Sequence, residues 1–309
     1  MRLVFCLTAQ QLIYQSFTYQ EKTMTSQLIP NCFGLNFPLN TIQAIRLCAA
    51  LLETNYDIHF SPEVKPILKH WNQYFPVSFY IGLKDIPILE DVEITHKENP
   101  SCRIGNLKTV LLYPHCMVDK CQSLWNEQRT INFSFSGLIT AKRKQALENW
   151  INSHFEVQNK LFKNIKEHKE GNKISRLYKN LIGSREIFDG ETGIYMFASN
   201  KGRIFPIKVW DEKYYSILSN SKFVLCPDGE FVWTYRFFEA IFCGAIPIVE
   251  NSCELYRGYH YFLMSNPLDE LIYSTEMTKK NFQKAKAELT LSSTELNTEI
   301  SRLFSRSLE

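Results

Sequence analysis

The sequence predicts an α/β protein built from two units. Two observations lead there first. Apolar runs of strand length alternate with segments of helical period, the pattern of a parallel sheet with crossover helices. The chain also has 309 residues, long for one compact domain. The third observation is one stretch, Ser221 to Glu250, that reads as buried strand, glycine-containing loop, helix and buried strand without interruption.

Taken in order, Leu3–Leu7 is a short apolar strand. Asn40 is placed to cap a helix from Thr41 to Thr54, where Ile42, Ile45, Ala49 and Leu52 recur at helical spacing. Ser61, Pro62 and Glu63 supply a cap, a first-turn proline and a first-turn acid for a second helix reaching Tyr74. Val77–Leu83 and Val110–Tyr113 are expected as buried strands. The polar residues Asn126 to Thr130 mark a boundary, which divides the chain into 1–127 and 128–309. After it, Ile131, Phe133 and Phe135 alternate with polar residues up to Gly137, and a helix from Arg143 turns Ala146, Leu147, Trp150, Ile151 and His154 to one face. Ile194–Ala198 and Phe223–Cys226 are expected strands, and Asp211 caps a helix carrying Tyr214, Ile217 and Leu218. A helix over Trp233–Cys243 and a strand over Ala245–Val249 follow. Ser292 and Glu295 form a capping box ahead of a terminal amphipathic helix, Ser293–Ser305, expected to pack near the hinge between the two units.

Composition limits the function. Hydrophobic residues are 45% and charged residues 22%, so the chain can bury cores and has no signature of disorder. A net charge of +3 is too balanced for a nucleic-acid surface, so an anion site would have to be local. The basic run Lys160–Lys173 is interleaved with Glu167 and Glu170 and reads as a solvated face. The nine cysteines are scattered, and Cys48, Cys226 and Cys243 sit in apolar runs as small hydrophobes. His115, Cys116 and Cys121 match no zinc spacing, so no metal is expected there. No stretch approaches the roughly 18 apolar residues of a membrane span. The expectation is a cytoplasmic protein, or a fragment whose anchor has been removed, with room for peripheral membrane association.

The chemistry concentrates in Ser221–Glu250. Ligands of open parallel sheets sit beyond the carboxyl ends of strands, and helix N-termini offer unpaired N–H groups to phosphate. That nominates an anion site near Pro227 to Trp233. Arg236 and Glu239, three apart in an apolar helix, need partners. Either they pair with each other, or Arg236 meets a diphosphate and Glu239 a sugar or ribose hydroxyl. No Gly-x-Gly-x-x-Gly follows a strand, which disfavours a nicotinamide-type enzyme.

The order Ser221-Lys-Phe, Leu225-Cys-Pro-x-Gly229, Arg236-x-x-Glu239 and Gly244-x-Ile-Pro247 resembles the exostosin family of glycosyltransferases. Phe135-Ser-Gly137 followed by Arg143 is similar to that family's upstream loop. The resemblance implies a GT-B fold, two Rossmann-like domains flanking a cleft, with residues 1–127 on the acceptor side and 128–309 binding the donor. It implies a nucleotide-sugar co-substrate, UDP-linked, no other cofactor, and a glycan acceptor. The donor ligands implied are Gly137, Thr140, Lys142, Arg143, Pro227, Gly229, Thr234, Arg236 and Glu239. Thr234 stands where the family commonly has Ser. Many relatives carry an amino-terminal anchor and a longer acceptor half, so acceptor identity does not transfer.

By the same resemblance the reaction is inverting and metal-independent, in keeping with the lack of a clear Asp-x-Asp. A base from the first unit would deprotonate the acceptor hydroxyl. His115 and Asp119, beyond Val110–Tyr113, are the candidates, followed by Glu90 and Asp91. Two alternatives stay open: a fucosyltransferase-like GT-B enzyme using a GDP-sugar, and a nucleotide-sugar-binding protein without catalysis.

Overall fold

Strands of period two build the largest sheet. The structure, a computed structural model, describes residues 31–36, 39, 41–155, 185–199 and 202–306. The expected strand Leu3–Leu7, the Asn40 cap and the run Lys160–Lys173 lie outside these residues.

The chain opens with β1 (Cys32–Leu35), helix α1 (Ile42–Leu51), β2 (Asp57–Phe60), helix α2 (Lys65–Asn72) and β3 (Tyr80–Ile81). These strands form a parallel sheet in the order β1-β2-β3. Thr41 caps α1 by accepting from the Ala44 N–H at 3.2 Å. The helix is buried on every side, including Gln43 and Arg46. Ser61-Pro62-Glu63 opens a 3-10 turn that leads into α2, and Ser61 makes no capping bond. The strand expected over Val77–Leu83 shortens to two residues at the sheet edge, with β2 as its partner and Gly82 following in a positive-φ conformation.

An antiparallel meander comes next, β4 (Val92–Thr95), β5 (Ser101–Ile104) and β6 (Leu107–Thr109). The expected strand at Val110–Tyr113 is irregular. Leu111, Leu112 and Tyr113 are buried, but the Tyr113 N–H bonds a helix-terminal carbonyl, Leu289, instead of a strand. An apolar run reports burial without naming the partner. Helix α3 (His115–Ser123) follows.

The third sheet contains β7 (Ile131–Leu138), β8 (Arg185–Asp189), β9 (Ile194–Ser199), β10 (Ser221–Cys226), β11 (Ile246–Val249) and β12 (Phe262–Leu263), in the order β12-β11-β10-β7-β9-β8. All pairs are parallel except β8 with β9. Helix α4 (Ala141–His154) follows β7, α5 (Glu212–Asn220) precedes β10, and α6 (Tyr235–Phe242) joins β10 to β11. Phe223 and Leu225 point to one face, with Leu147, Trp150 and Ile151 of α4, whereas Val224 and Cys226 point to the other, with Phe237, Phe238 and Ile241 of α6. The period of two thus sends the two helices to opposite faces.

Helices α7 (Thr275–Leu289) and α8 (Ser293–Arg306) close the chain. The capping box forms: the Glu295 N–H donates to Ser292 Oγ at 3.2 Å and the Ser292 N–H to Glu295 Oε2 at 2.8 Å. Helix α8 lies against the first sheet region, where Phe304 meets Phe33 and Asn297 accepts from the Asn55 N–H. The expected boundary at 126–130 falls between β6 and β7. Arg129 there is buried and donates to the Ser221 and Cys243 carbonyls, and one apolar cluster runs from Phe33 to Ile300 across both sides. Among the described residues no helix is long and apolar enough to cross a membrane.

Candidate functional site

Strand β7 has β9 on one side and β10 on the other, and the chain reverses its direction of travel across the sheet between them. At such a switch point the loops after the two strands splay to opposite faces and leave a crevice for a ligand. The β7–α4 loop and the β10–α6 loop, Pro227–Thr234, meet here.

Each loop delivers one arginine. Arg143, in the first turn of α4 behind the Thr140 cap, donates from Nε to the Asp228 carbonyl at 3.1 Å and from Nη1 to the Leu138 carbonyl at 3.2 Å. Arg236, in the first turn of α6, donates from Nε to the Ser136 carbonyl at 3.0 Å and lies 4.4 Å over the Phe135 ring. Burial and the neighbouring Arg236 charge push Arg143 down to about 10. Among the described residues neither guanidinium has a carboxylate partner. Arg236 Nη1 and the hydroxyl of Thr234, the N-cap residue of α6, are buried and unpartnered.

Gly137 and Gly229, both among the implied donor ligands, make room for these heads. A Cβ at Gly137 would collide with Arg236, and one at Gly229 would stand 2.6 Å from Arg143 Nη2. Lys142 reaches Asp228 at 3.2 Å, and Asp228 is itself held by Asn251. Pro227 follows β10 at the head of this loop.

Glu239, one turn further along α6, does not pair with Arg236. Its carboxylate is met by Arg46 at 2.5 Å, the Tyr214 hydroxyl at 2.6 Å, the Tyr215 hydroxyl at 3.2 Å and Arg203 at 3.5 Å. Burial alone would raise its pKa, but Arg203 and Arg46 overrule it and hold the carboxyl at about 2. The Arg46 and Arg203 guanidiniums are each held above their ordinary value: burial opposes the charge, while tyrosine and glutamate neighbours favour it. Glu239 thus meets Arg46 and Arg203 directly, while Asp228 lends a weaker favourable charge to Arg143 and Asp211 to Arg203. Lys208, lowered by burial and by Arg203, adds to the crowding.

Arg46 and Arg203 escaped the sequence reading. Arg46 lies in an apolar helix, where a lone arginine signals a buried acid somewhere in the fold, and that was the one available signal. Arg203 lies in an irregular segment and gave none.

The candidate bases stand elsewhere. His115 opens α3, and its backbone N–H donates to Glu53 at 3.1 Å. Asp119 pairs with Lys286 of α7 at 2.7 Å. Asp91 pairs with Arg103 at 2.6 Å, and Glu90 lies in the adjoining loop. Of the cysteines, Cys48, Cys226 and Cys243 are buried free thiols. Among the described residues no group of three or more His, Cys, Asp or Glu side chains is arranged to hold a metal ion.

The fold is a mixed α/β one with a cation-lined switch point at a helix N-terminus. The comparisons give the class: the exostosin GT47 domain, a glycosyltransferase domain, matches residues 93–259, more than half of the chain. The chain belongs to the exostosin GT47 family. No curated protein matches it. A crystal structure of a GtfA/B complex is similar over 80% of this chain and 45% of that one, with 13% identity and a TM-score of 0.30. The chain thus spans less than half the length of that protein.

Proposed function

We propose that this protein transfers a sugar from a nucleotide-sugar donor, UDP-linked, to a hydroxyl of a glycan acceptor. The observation that carries the reading is the pair Arg143 and Arg236 at the switch point, without carboxylate partners and beside the unpartnered Thr234 hydroxyl and Arg236 Nη1. A diphosphate relieves their mutual repulsion and accepts the orphaned donors.

In this reading Gly137, Thr140, Lys142, Arg143, Pro227, Gly229, Thr234 and Arg236 surround the donor, in a GT-B arrangement with residues 1–127 on the acceptor side. Glu239 enters as the anion that gathers Arg46 and Arg203 behind the site. As the bond from the anomeric carbon to the diphosphate breaks, charge grows on the leaving oxygen. Guanidiniums already fixed by the Ser136, Leu138 and Asp228 carbonyls stabilise it without reorganising. Transfer is inverting, by direct attack of the acceptor oxygen, and cations of the chain take the place of a metal.

Melting curves with UDP, GDP and a panel of UDP- and GDP-sugars test this, because a ligand bound only by the native state raises the melting temperature. Stabilisation by UDP and UDP-sugars, abolished in Arg236→Gln, supports the reading. Preference for GDP-sugars would transfer it to a fucosyltransferase-like donor. Binding without UDP release would identify a non-catalytic nucleotide-sugar-binding protein.

A further inference from the structure

We propose that His96, in the loop after β4, is the general base that takes the acceptor proton in the reaction proposed above, on which this inference rests. The loop after β4 reaches across from the first half of the chain to the β10–α6 loop. The His96 ring lies parallel to Tyr235, the first residue of α6, with centroids 5.5 Å apart and an interplanar angle of 5°. Trp233 and Phe231 present their planes nearly perpendicular to it, at 5.1 Å and 5.7 Å. The Trp233 indole N–H donates to the Lys97 carbonyl at 2.9 Å and ties the backbone beside His96 to the same loop. Three aromatic rings and a main-chain bond thus hold an otherwise exposed imidazole beside the helix whose next residue is Arg236.

The two ring nitrogens differ. Nδ1 is 3.1 Å from the Tyr235 hydroxyl, whereas Nε2 has no partner among the described residues. In the tautomer protonated on Nδ1, that N–H donates to the Tyr235 oxygen and the Nε2 lone pair faces outward, as a base requires. Burial pushes Tyr235 up to about 12, so its hydroxyl stays neutral while orienting the ring. Burial, aided by the Lys208 charge and opposed by Glu230, lowers His96 below its ordinary value and keeps it unprotonated at neutral pH. Lys97 is the other charged neighbour, adjacent in the chain. Asp119, by contrast, is paired with Lys286, and His115 Nε2 is buried without a partner among the described residues.

The step balances as a displacement. Nε2 takes the proton of the acceptor hydroxyl while that oxygen bonds the anomeric carbon. The nucleoside diphosphate leaves with the electron pair of the broken bond, and Glu230 faces the imidazolium formed.

The test measures UDP or GDP release from the sugar-nucleotide panel, with water or an added glycan as acceptor, on folded His96→Ala, His96→Gln and Tyr235→Phe. His96→Ala is expected to lower kcat on the order of 10²- to 10⁴-fold with unchanged UDP stabilisation, to lose the acid limb of the pH profile, and to regain rate with added imidazole. Tyr235→Phe should lower kcat less and move that limb. A His96→Ala rate within threefold of wild type, in a protein that binds and turns over donor, overturns the base assignment alone. A wild-type chain that binds no nucleotide sugar, or binds and never turns it over, overturns the donor or enzyme reading and this inference with it.

Discussion

Replacing Glu239 with Gln keeps the shape of the side chain and removes the charge that pairs directly with Arg46 and Arg203. Arg46 is 1% exposed and Glu239 2%, so the stranded guanidinium cannot turn to water. Removing one partner of a buried pair costs about 3 to 5 kcal/mol. Linkage gives a comparable figure. The carboxyl shifts from 4.5 to about 2, a difference worth about 3 kcal/mol. Between those two values the unfolded carboxyl binds a proton that the folded one does not. Its stabilising contribution is therefore complete above about pH 4.5 and is lost as pH falls toward 2. Urea unfolding of wild type and Glu239→Gln from pH 7 to pH 2.5 measures both quantities. The variant should be about 3 kcal/mol less stable at pH 7, and the gap should narrow in acid. A variant within 1 kcal/mol of wild type at pH 7, or a gap independent of pH, would refute this account of the cluster.

Gly229→Ala places a Cβ 2.6 Å from Arg143 Nη2, so it should displace that guanidinium and weaken UDP stabilisation more than it lowers the melting temperature of the free protein; equal losses would contradict this. EDTA should leave sugar transfer unchanged, and activity abolished by EDTA and restored by manganese would refute the metal-independent reading. Ser292→Ala removes the two bonds of the hydroxyl to Glu295, keeps the bond from its backbone N–H, and should cost about 1 kcal/mol by urea unfolding with UDP binding unaltered.

After residue 128 the elements with local signals were legible, whereas β8, β12 and α7 were not expected. Alternation in Ile131–Phe135, the apolar run Phe223–Cys226, the Asp211 cap and the Ser292–Glu295 box each act within a few residues. They formed at the expected places, with helix and strand ends shifting by one or two residues. The first half was harder. Val110–Tyr113 has a strand-like composition, but Val110 is exposed and Leu111–Tyr113 are buried outside any strand, and β4 to β6 are short and mixed in polarity, without a clean period. In the site, the motif pointed to Arg236 and Arg143, and the fold brings both guanidiniums to the carboxyl ends of β7 and β10. Glu239 could not be resolved from spacing, because its partners Arg46 and Arg203 lie 193 and 36 residues away along the chain and meet it only in the fold. His96 was invisible for the same reason: its setting is built by rings about 140 residues downstream.

The central claim is that Arg143 and Arg236 bind the diphosphate of a sugar nucleotide. Isothermal titration of UDP into wild type, Arg143→Gln and Arg236→Gln, each shown to be folded, tests it most directly. Loss of a charge-assisted contact worth about 1.5 to 3 kcal/mol predicts affinities weaker by roughly 10- to 150-fold in each variant. Affinities equal to wild type in both folded variants would contradict it.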